Sequence, residues 1–164
     1  MTSHPGLTAL LLASLAAMPV LTSPVWAQSS TPSSSRQHMG ERKQHRVVIQ
    51  VSENDPKIMN LALNNAENLA KFYEQSGEAA QIEIVAYGPG LNMVRSDTSP
   101  VKDRLAALVG RPQPITFTGC GNTMSAQSKQ EGKDISLLPE TNLVPTGIGR
   151  IVQLQEQGWT YIRP

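Results

Sequence analysis

Short β-branched runs alternate with longer segments of helical periodicity along this chain, and that alternation constrains the fold more than any other feature. Residues 46–51 (RVVIQV) form the first run, of the kind found in strands buried on both faces of a parallel sheet. Asp55 and Pro56 then supply a capping carboxylate and a proline at the first helical position, and Gly77 closes the segment. The apolar residues at helical spacing between them are Ile58, Leu61, Ala62, Leu69, Phe72 and Tyr73. The pattern predicts one strand followed by one long helix.

The same unit of strand and helix recurs towards the C-terminus. Further strands are predicted at residues 81–87, 115–118, 142–144 and 159–162. Helices are predicted between them: one capped by Ser99 and Pro100 and ended by Gly110, a short one capped by Asn122 or Thr123 and running to about Lys129, and one over residues 145–157. The residues expected to face inward from the first and last of these helices are Val101, Leu105, Leu108, Val109, Ile148, Ile151, Val152 and Leu154. Such alternation predicts an α/β domain with a mostly parallel sheet covered by helices on both sides.

Residues 1–27 differ in composition from the rest and have the pattern of a signal peptide. An apolar run extends from Leu7 to Leu21, and Val25 and Ala27 stand three and one residues before Gln28, where small or tolerated residues define a cleavage site. The run is shorter than the ~20 residues that cross a bilayer as a helix, which argues against a permanent anchor. Because no Lys or Arg precedes the run, a retained segment stays open as the alternative. We expect an exported protein, periplasmic if the source is Gram-negative.

Residues 28–45 have the composition of a flexible tether. After Gln28 they read SSTPSSS and continue as a polar, mildly basic stretch that cannot bury enough apolar surface to offset the entropy of ordering. The folded domain is therefore predicted over residues 46–164. The net charge of +1 gives no strong field, and the aromatic content of 4% gives no stacking platform. Nucleic acid is not expected as a partner, nor is a membrane once the signal peptide is cleaved.

Candidate site residues lie beyond the predicted strand ends. Ligands of parallel α/β sheets collect there, because strand-to-helix loops and helix N-termini converge at that edge. Three loops reach it: residues 52–55 with Asn54, residues 88–90 with Gly88 and Gly90, and residues 119–123 with Gly119, Cys120, Gly121, Asn122 and Thr123. Tyr87 precedes the second loop. Cys120 is the candidate catalytic residue, and the others are candidate binding residues.

Cys120 is the only cysteine of the chain, and it stands between two glycines where a strand gives way to a helix. A thiol just before a helix N-terminus lies at the positive end of the helix dipole and accepts backbone N–H bonds, which favour the thiolate. The flanking glycines are expected to leave the sulfur approachable, with Asn122 and Thr123 near it as hydrogen-bond donors. The alternative is that Cys120 packs as a small apolar residue, as buried free cysteines often do. An unpaired thiol in an exported protein can also pair between chains.

The rest of the composition excludes several mechanisms. The three histidines, His4, His38 and His45, all precede the first predicted strand, so the predicted domain offers neither a Cys–His pair nor a Ser–His–Asp triad. A tetrahedral zinc site is excluded because the predicted domain has one cysteine and no histidine. No second thiol completes a C-x-x-C motif. The turn at residues 88–90 lacks the spacing of a phosphate-binding loop. We therefore expect no metal ion and no cofactor.

Six segments in order resemble the exported branch of the DsrE/DsrF-like family: SENDP, LALNNAENL, IEIVAYGPGL, GCGNTM, LVPTGI and QEQGWTYIRP. The resemblance extends over almost all of residues 46–164. It implies a three-layer α/β/α sandwich with a five-stranded parallel sheet. It also implies homo-oligomers, trimers or hexamers, and the helix after strand 1 is consistent with this because Leu63, Ala66 and Ala70 lie off its main apolar stripe.

The family resemblance implies a role in sulfur metabolism. Characterised members carry sulfane sulfur as a persulfide on a cysteine at a strand end, which here is Cys120, with sulfur donor and acceptor proteins or small thiols as partners. This chain departs from the pattern at Tyr87, where many relatives have a histidine before the G-P-G turn, and a phenol with a pKa of about 10 is a poorer proton donor. The alternative is a non-catalytic, oligomeric module that binds a small ligand or serves assembly, with Cys120 as packing.

Overall fold

A five-stranded parallel sheet with helices on both faces is the fold of this protein in a computed structural model that describes residues 43–113 and 115–164. The strands are β1 (Gln44–Val51), β2 (Ala79–Ala86), β3 (Ile115–Cys120), β4 (Thr141–Val144) and β5 (Thr160–Ile162). The α-helices are α1 (Pro56–Gln75), α2 (Lys102–Leu108), α3 (Gly121–Glu131) and α4 (Gly147–Glu156), and a 3-10 helix spans Gly88–Val94. The predicted fold class is thereby confirmed. The predicted signal peptide and nearly all of the predicted tether lie outside the described residues.

The order of the strands decides which helix covers which face. The sheet runs β4-β3-β2-β1-β5, so the first three crossovers step in one direction and the last one returns across the sheet. Since parallel crossovers are right-handed, the last helix, α4, lies on the opposite face from α1 and α2. The larger core contains the inward residues of α1, α2 and the 3-10 helix. The smaller core holds Val48 and Val85 from the sheet against Ile151 and Leu154 from α4.

The N-terminal boundary of the domain lies earlier than predicted. Strand β1 begins at Gln44 rather than at residue 46, because Gln44 and His45 pair with Ala79 and Ala80 of β2. His45 is thus part of the folded domain, where its ring stacks on Tyr73 with centroids 3.8 Å apart. It pairs with Ala80, six residues before the end of β2, which places it about 20 Å along the strands from the carboxyl edge.

The predicted inner face of α1 was wrong in part. The buried residues of α1 are Met59, Ala62, Leu63, Ala66 and Ala70, whereas Leu61 and Phe72 are 43% and 59% exposed. Small side chains let the helix approach the sheet closely, so alanines rather than the largest residues face the core. Leu63, Ala66 and Ala70 therefore pack within their own chain and are not a second face for a partner subunit.

Two further details of the helices differ from prediction. Helix α2 begins at Lys102 with Val101 as the N-cap residue, and the Ser99 hydroxyl lies before the helix, where it donates to the Met93 carbonyl and accepts from the Val101 N–H. Val109, Ile148 and Val152 were expected to face inward, yet they are 50%, 54% and 48% exposed. Within residues 43–113 and 115–164, no helix is both long and apolar enough to cross a membrane.

Candidate functional site

Cys120 lies where β3 passes directly into α3. It is the last residue of the strand and the N-cap residue of the helix, with extended backbone angles (φ −85°, ψ 115°). The prediction that Asn122 or Thr123 caps this helix was wrong, since α3 already begins at Gly121. The Asn122 N–H instead donates to the Pro145 carbonyl at 3.0 Å, which ties the start of α3 to the segment before α4.

A second helix N-terminus reaches the same cysteine. Gly147, the first residue of α4, lies so close that a Cβ atom added to it would stand 3.2 Å from Cys120 Cβ and 2.9 Å from Tyr87 Cβ. The N-termini of α3 and α4 therefore converge on Cys120, each with the positive end of its helix dipole. Tyr87 stands beside Cys120 because Ala86 and Gly119, the preceding residues, pair in the sheet.

The thiol is less accessible than the flanking glycines suggested. Cys120 is only 5% exposed, so the expectation of an approachable sulfur is wrong for this chain. The cause is α4: the chain returns across the sheet and its first turn covers the cysteine, a long-range approach that spacing along the sequence does not show.

The surroundings of Cys120 favour the charged form of the thiol. Burial raises its pKa, but hydrogen bonding from the Thr123 hydroxyl and from the N–H groups of Gly147, Thr123 and Asn122 outweighs burial and leaves the pKa below its ordinary value. The Thr123 oxygen accepts from the Gly88 N–H at 3.0 Å, so its own proton is directed elsewhere and is available to the sulfur. Thr123 thus links the turn after β2 to Cys120.

Tyr87 is the titratable side chain next to Cys120 in the sheet. Burial and the neighbouring Tyr161 raise the pKa of its phenol, and Arg163 opposes them without cancelling the shift. The Tyr87 hydroxyl therefore stays protonated at neutral pH, which suits it to donate a hydrogen bond but not to serve as a base.

Only some of the predicted binding residues meet in one place. Asn54, Gly88 and Thr123 line a cleft of about 510 Å³ between the 3-10 helix and α3. The other lining residues are Pro89, Asn92, Arg95, Ala126, Gln127, Gln130 and Glu131. Cys120 does not line this cleft, and Thr123 is the residue that the cleft shares with the surroundings of the thiol. Gly90 and Gly119 are buried and serve packing.

The base of the cleft is held by an ion-pair network that the sequence did not reveal. Arg95 is 5% exposed, and its guanidinium binds the carboxylates of Asp97 and Glu131. Hydrogen bonds from Arg95 and Lys133 hold the pKa of the Asp97 carboxyl well below its ordinary value. Because Arg95 and Glu131 are far apart along the chain, no local pattern marks them as partners.

A buried ion pair under α4 also went unpredicted. Glu83 of β2 is 3% exposed and accepts two hydrogen bonds from the Arg150 guanidinium, at 2.9 Å and 2.8 Å. The Thr118 hydroxyl donates a third, at 2.8 Å. The single signal in the sequence is a glutamate inside an apolar strand, which requires a partner when it is buried. In the part of the chain that the structure describes, no group of three or more His, Cys, Asp or Glu side chains is placed to hold a metal ion.

The chain is similar to a protein of solved structure. MTH1491 of Methanobacterium thermoautotrophicum, a protein of unknown function, is 36% identical to it. The match covers 73% of this chain and 99% of that one, with a TM-score of 0.62. No protein-family model and no curated protein gives a match.

Proposed function

The chain belongs to the same family as MTH1491, a protein of unknown function, and we propose from the site itself that Cys120 carries sulfane sulfur as a persulfide and relays it to an acceptor thiol. One observation carries the proposal: two helix N-termini and the Thr123 hydroxyl converge on a single thiol and lower its pKa. A structural cysteine gains nothing from such surroundings, whereas a nucleophile needs them because the thiolate is the reacting form. The resemblance to DsrE/DsrF-like sulfur carriers supports the same chemistry.

The transfer balances without any further reagent. The Cys120 thiolate attacks the outer sulfur of a donor persulfide, R–S–SH; a new S–S bond forms on Cys120, the donor S–S bond breaks, and the donor leaves as a thiolate, R–S⁻. In the second half, an acceptor thiolate attacks the outer sulfur of the Cys120 persulfide and restores the Cys120 thiolate. No net oxidation occurs, because the sulfane sulfur keeps its oxidation state throughout. The N–H groups of α3 and α4 stabilise the anionic sulfur at both ends of the cycle.

The fold controls how a sulfur donor reaches the Cys120 sulfur. Because Cys120 is 5% exposed, a donor reaches it only after the first turn of α4 or the partly buried Tyr87 side chain moves. Thr146, the N-cap residue of α4, makes no side-chain capping bond to that turn, so a cap does not restrain its first residues. The same cover protects a bound persulfide from unwanted thiols.

Loading with a defined donor tests the proposal. The full chain is incubated with glutathione persulfide and its intact mass is measured; we expect the gain of one sulfur atom, removed again by dithiothreitol. The control is Cys120→Ser, which keeps size and shape but should gain nothing. An unmodified native protein that becomes modified only after denaturation would show that Cys120 is packing, as would an equal gain by the serine variant.

Replacing Thr123 with valine should weaken the nucleophile. Valine keeps the shape of threonine but removes the donor to the sulfur and the acceptor of the Gly88 N–H. Because the thiol pKa rises, we expect iodoacetamide alkylation of Cys120 at pH 7 to slow by roughly threefold to tenfold, and stability to fall by about 1 kcal/mol for the unpaired N–H. Thr123→Ser restores the hydroxyl and should restore the rate. Equal rates for valine and threonine would remove Thr123 from the site.

We also propose that the protein is exported and acts as a homo-oligomer, with the donor and acceptor as its other partners. The exposed apolar residues beside the site, Leu143, Ile148 and Val152, support the oligomer, since apolar side chains about half exposed are suited to an interface. Gel filtration with light scattering tests it: Ile148→Glu should lower the mass of the native particle. A monomeric wild-type protein would contradict this proposal.

A second candidate function has its own observation. The cleft of about 510 Å³ lined by Asn54, Gly88 and Thr123 is a suitable size for a small polar molecule and does not include the thiol. In that case the protein is a small-ligand-binding module with Cys120 as packing. A native Cys120 that resists Ellman's reagent, together with thermal stabilisation by a ligand that is lost in Thr123→Val but kept in Cys120→Ser, favours this function over sulfur transfer.

A further inference from the structure

The ion pair between buried Glu83 and partly buried Arg150 joins β2 to α4, the helix whose first residue adjoins Cys120. Glu83 lies on β2, and Tyr87, one residue beyond the end of that strand, packs against the cluster under α4. Gly147 and Arg150 lie within the first turn of α4. Tyr87 approaches Gly147 while Glu83 binds Arg150, so α4 is attached to β2 at two successive points. The first point is a close contact without polar bonds, and the second is a pair of directed hydrogen bonds.

The geometry of the pair fixes how α4 is rotated and how far it is shifted along the sheet. Both Glu83 oxygens are used by Arg150, through Nε and one terminal nitrogen, and the Thr118 hydroxyl holds one of those oxygens from β3. A two-pronged bond of this kind has one productive orientation, unlike apolar packing, which tolerates sliding. The rest of the contact between α4 and the sheet is a small cluster around Ile151 and Leu154.

We propose that Glu83 and Arg150 are positioning residues for Cys120: their two-pronged bond holds α4 so that its first N–H group, that of Gly147, stays beside the sulfur. The inference builds on Cys120 as the reacting group but not on persulfide chemistry, because thiolate formation can be measured without any sulfur donor. Removing a buried ion pair is often neutral for stability when apolar groups of similar size replace it. We therefore expect this pair, whose Arg150 side chain is 33% exposed, to act mainly through the orientation that it gives α4.

Several groups face Cys120, and the effect of the ion pair on thiolate formation must be measured separately from theirs. Tyr87 adjoins it from β2, Val144 pairs with it from β4, α3 contributes Thr123 and two N–H groups, and α4 contributes Gly147. Arg150 carries a positive charge on α4, which by itself also favours a thiolate. A test must therefore change the geometry of the two-pronged bond between Arg150 and Glu83 without removing the charge of Arg150.

Arg150→Lys makes this change, because lysine keeps the charge but cannot form the two-pronged bond. The pH dependence of Cys120 alkylation by iodoacetamide is measured in the full chain, with folding checked by circular dichroism. We expect the midpoint to move to higher pH and the rate at pH 7 to fall by roughly threefold. Arg104→Lys is the matched control: Arg104 also joins two helices by binding Glu67, Asn60 and Asn64, but it lies on α2, and its profile should match the wild type.

A second variant tests the same inference in case a lysine at position 150 still holds α4 in place. Glu83→Leu with Arg150→Met removes both charges together, so the local net charge is unchanged while the directed bond is lost. We expect the same upward shift of the midpoint and faster hydrogen exchange of the Gly147 amide. Folded variants that keep the wild-type profile and the wild-type Gly147 exchange would overturn the positioning role. That result would not affect the proposal that Cys120 carries sulfur, so each of the two proposals can be refuted without the other.

Discussion

Replacing Gly90 with alanine is expected to destabilise the fold by roughly 3 kcal/mol or more, because the added methyl group meets backbone rather than a movable side chain. A Cβ atom at Gly90 would stand 2.6 Å from the Val51 carbonyl carbon and 2.9 Å from that of Ser52, and closer still to the Val51 oxygen. These atoms lie at the end of β1, an inner strand of the sheet, and cannot move without disturbing strand pairing. The free energy of unfolding in urea gives the measurement.

A glycine with open space around it separates crowding from backbone conformation. Gly110 has a positive φ of +80° and nothing within 4 Å of an added Cβ. Its replacement by alanine costs only the strain of the left-handed conformation, about 1 kcal/mol. If Gly90→Ala were as mild as Gly110→Ala, the close approach of the 3-10 helix to the end of β1 would not exist as described. Gly90 was predicted to bind a ligand, and its role is instead to let the turn bearing Gly88 pack against β1.

Replacing Gly147 with alanine should cause the largest loss of thiol reactivity. The methyl group would crowd Tyr87 Cβ and Cys120 Cβ, so the first turn of α4 must move away from the sulfur. Without the Gly147 N–H the thiol pKa rises, and we expect alkylation at pH 7 to slow by about tenfold. Alanine is a better helix former than glycine, so the net loss of stability is smaller than the clash alone, about 1 to 2 kcal/mol. Alkylation rates across pH measure the first effect and urea unfolding the second.

Gly149→Ala is the matched control for this variant. Gly149 lies in the same turn of α4, but an added Cβ would meet chiefly the Thr146 side chain, which can rotate away. We expect unchanged thiol reactivity and equal or slightly higher stability, since alanine favours the helix. Unchanged reactivity in both variants would mean that α4 does not activate Cys120. The proposed function would then depend on α3 and Thr123 alone.

The location of the site was predictable from the sequence, but its boundaries were not. Because parallel strands end at one edge, Cys120, Gly88 and Asn54 could be assigned to that edge from their positions after predicted strands. Thr123 was expected near the sulfur as a donor, and it is a donor, though not as the cap of α3. Gly147 was missed because its approach to Cys120 depends on where the last crossover crosses the sheet.

Local chemistry explains what the sequence by itself determined: the run of strands and helices, the parallel sheet, and the placement of a lone thiol at a strand end. β-branched runs, prolines and glycines act through backbone preferences and burial over a few residues, so their effect is visible in the printed letters. The tertiary structure alone decided that α4 covers Cys120, that Glu83 binds Arg150, and that Arg95 binds Glu131. These contacts join residues tens of positions apart, and their geometry follows from the order of the strands in the sheet, which no local propensity encodes.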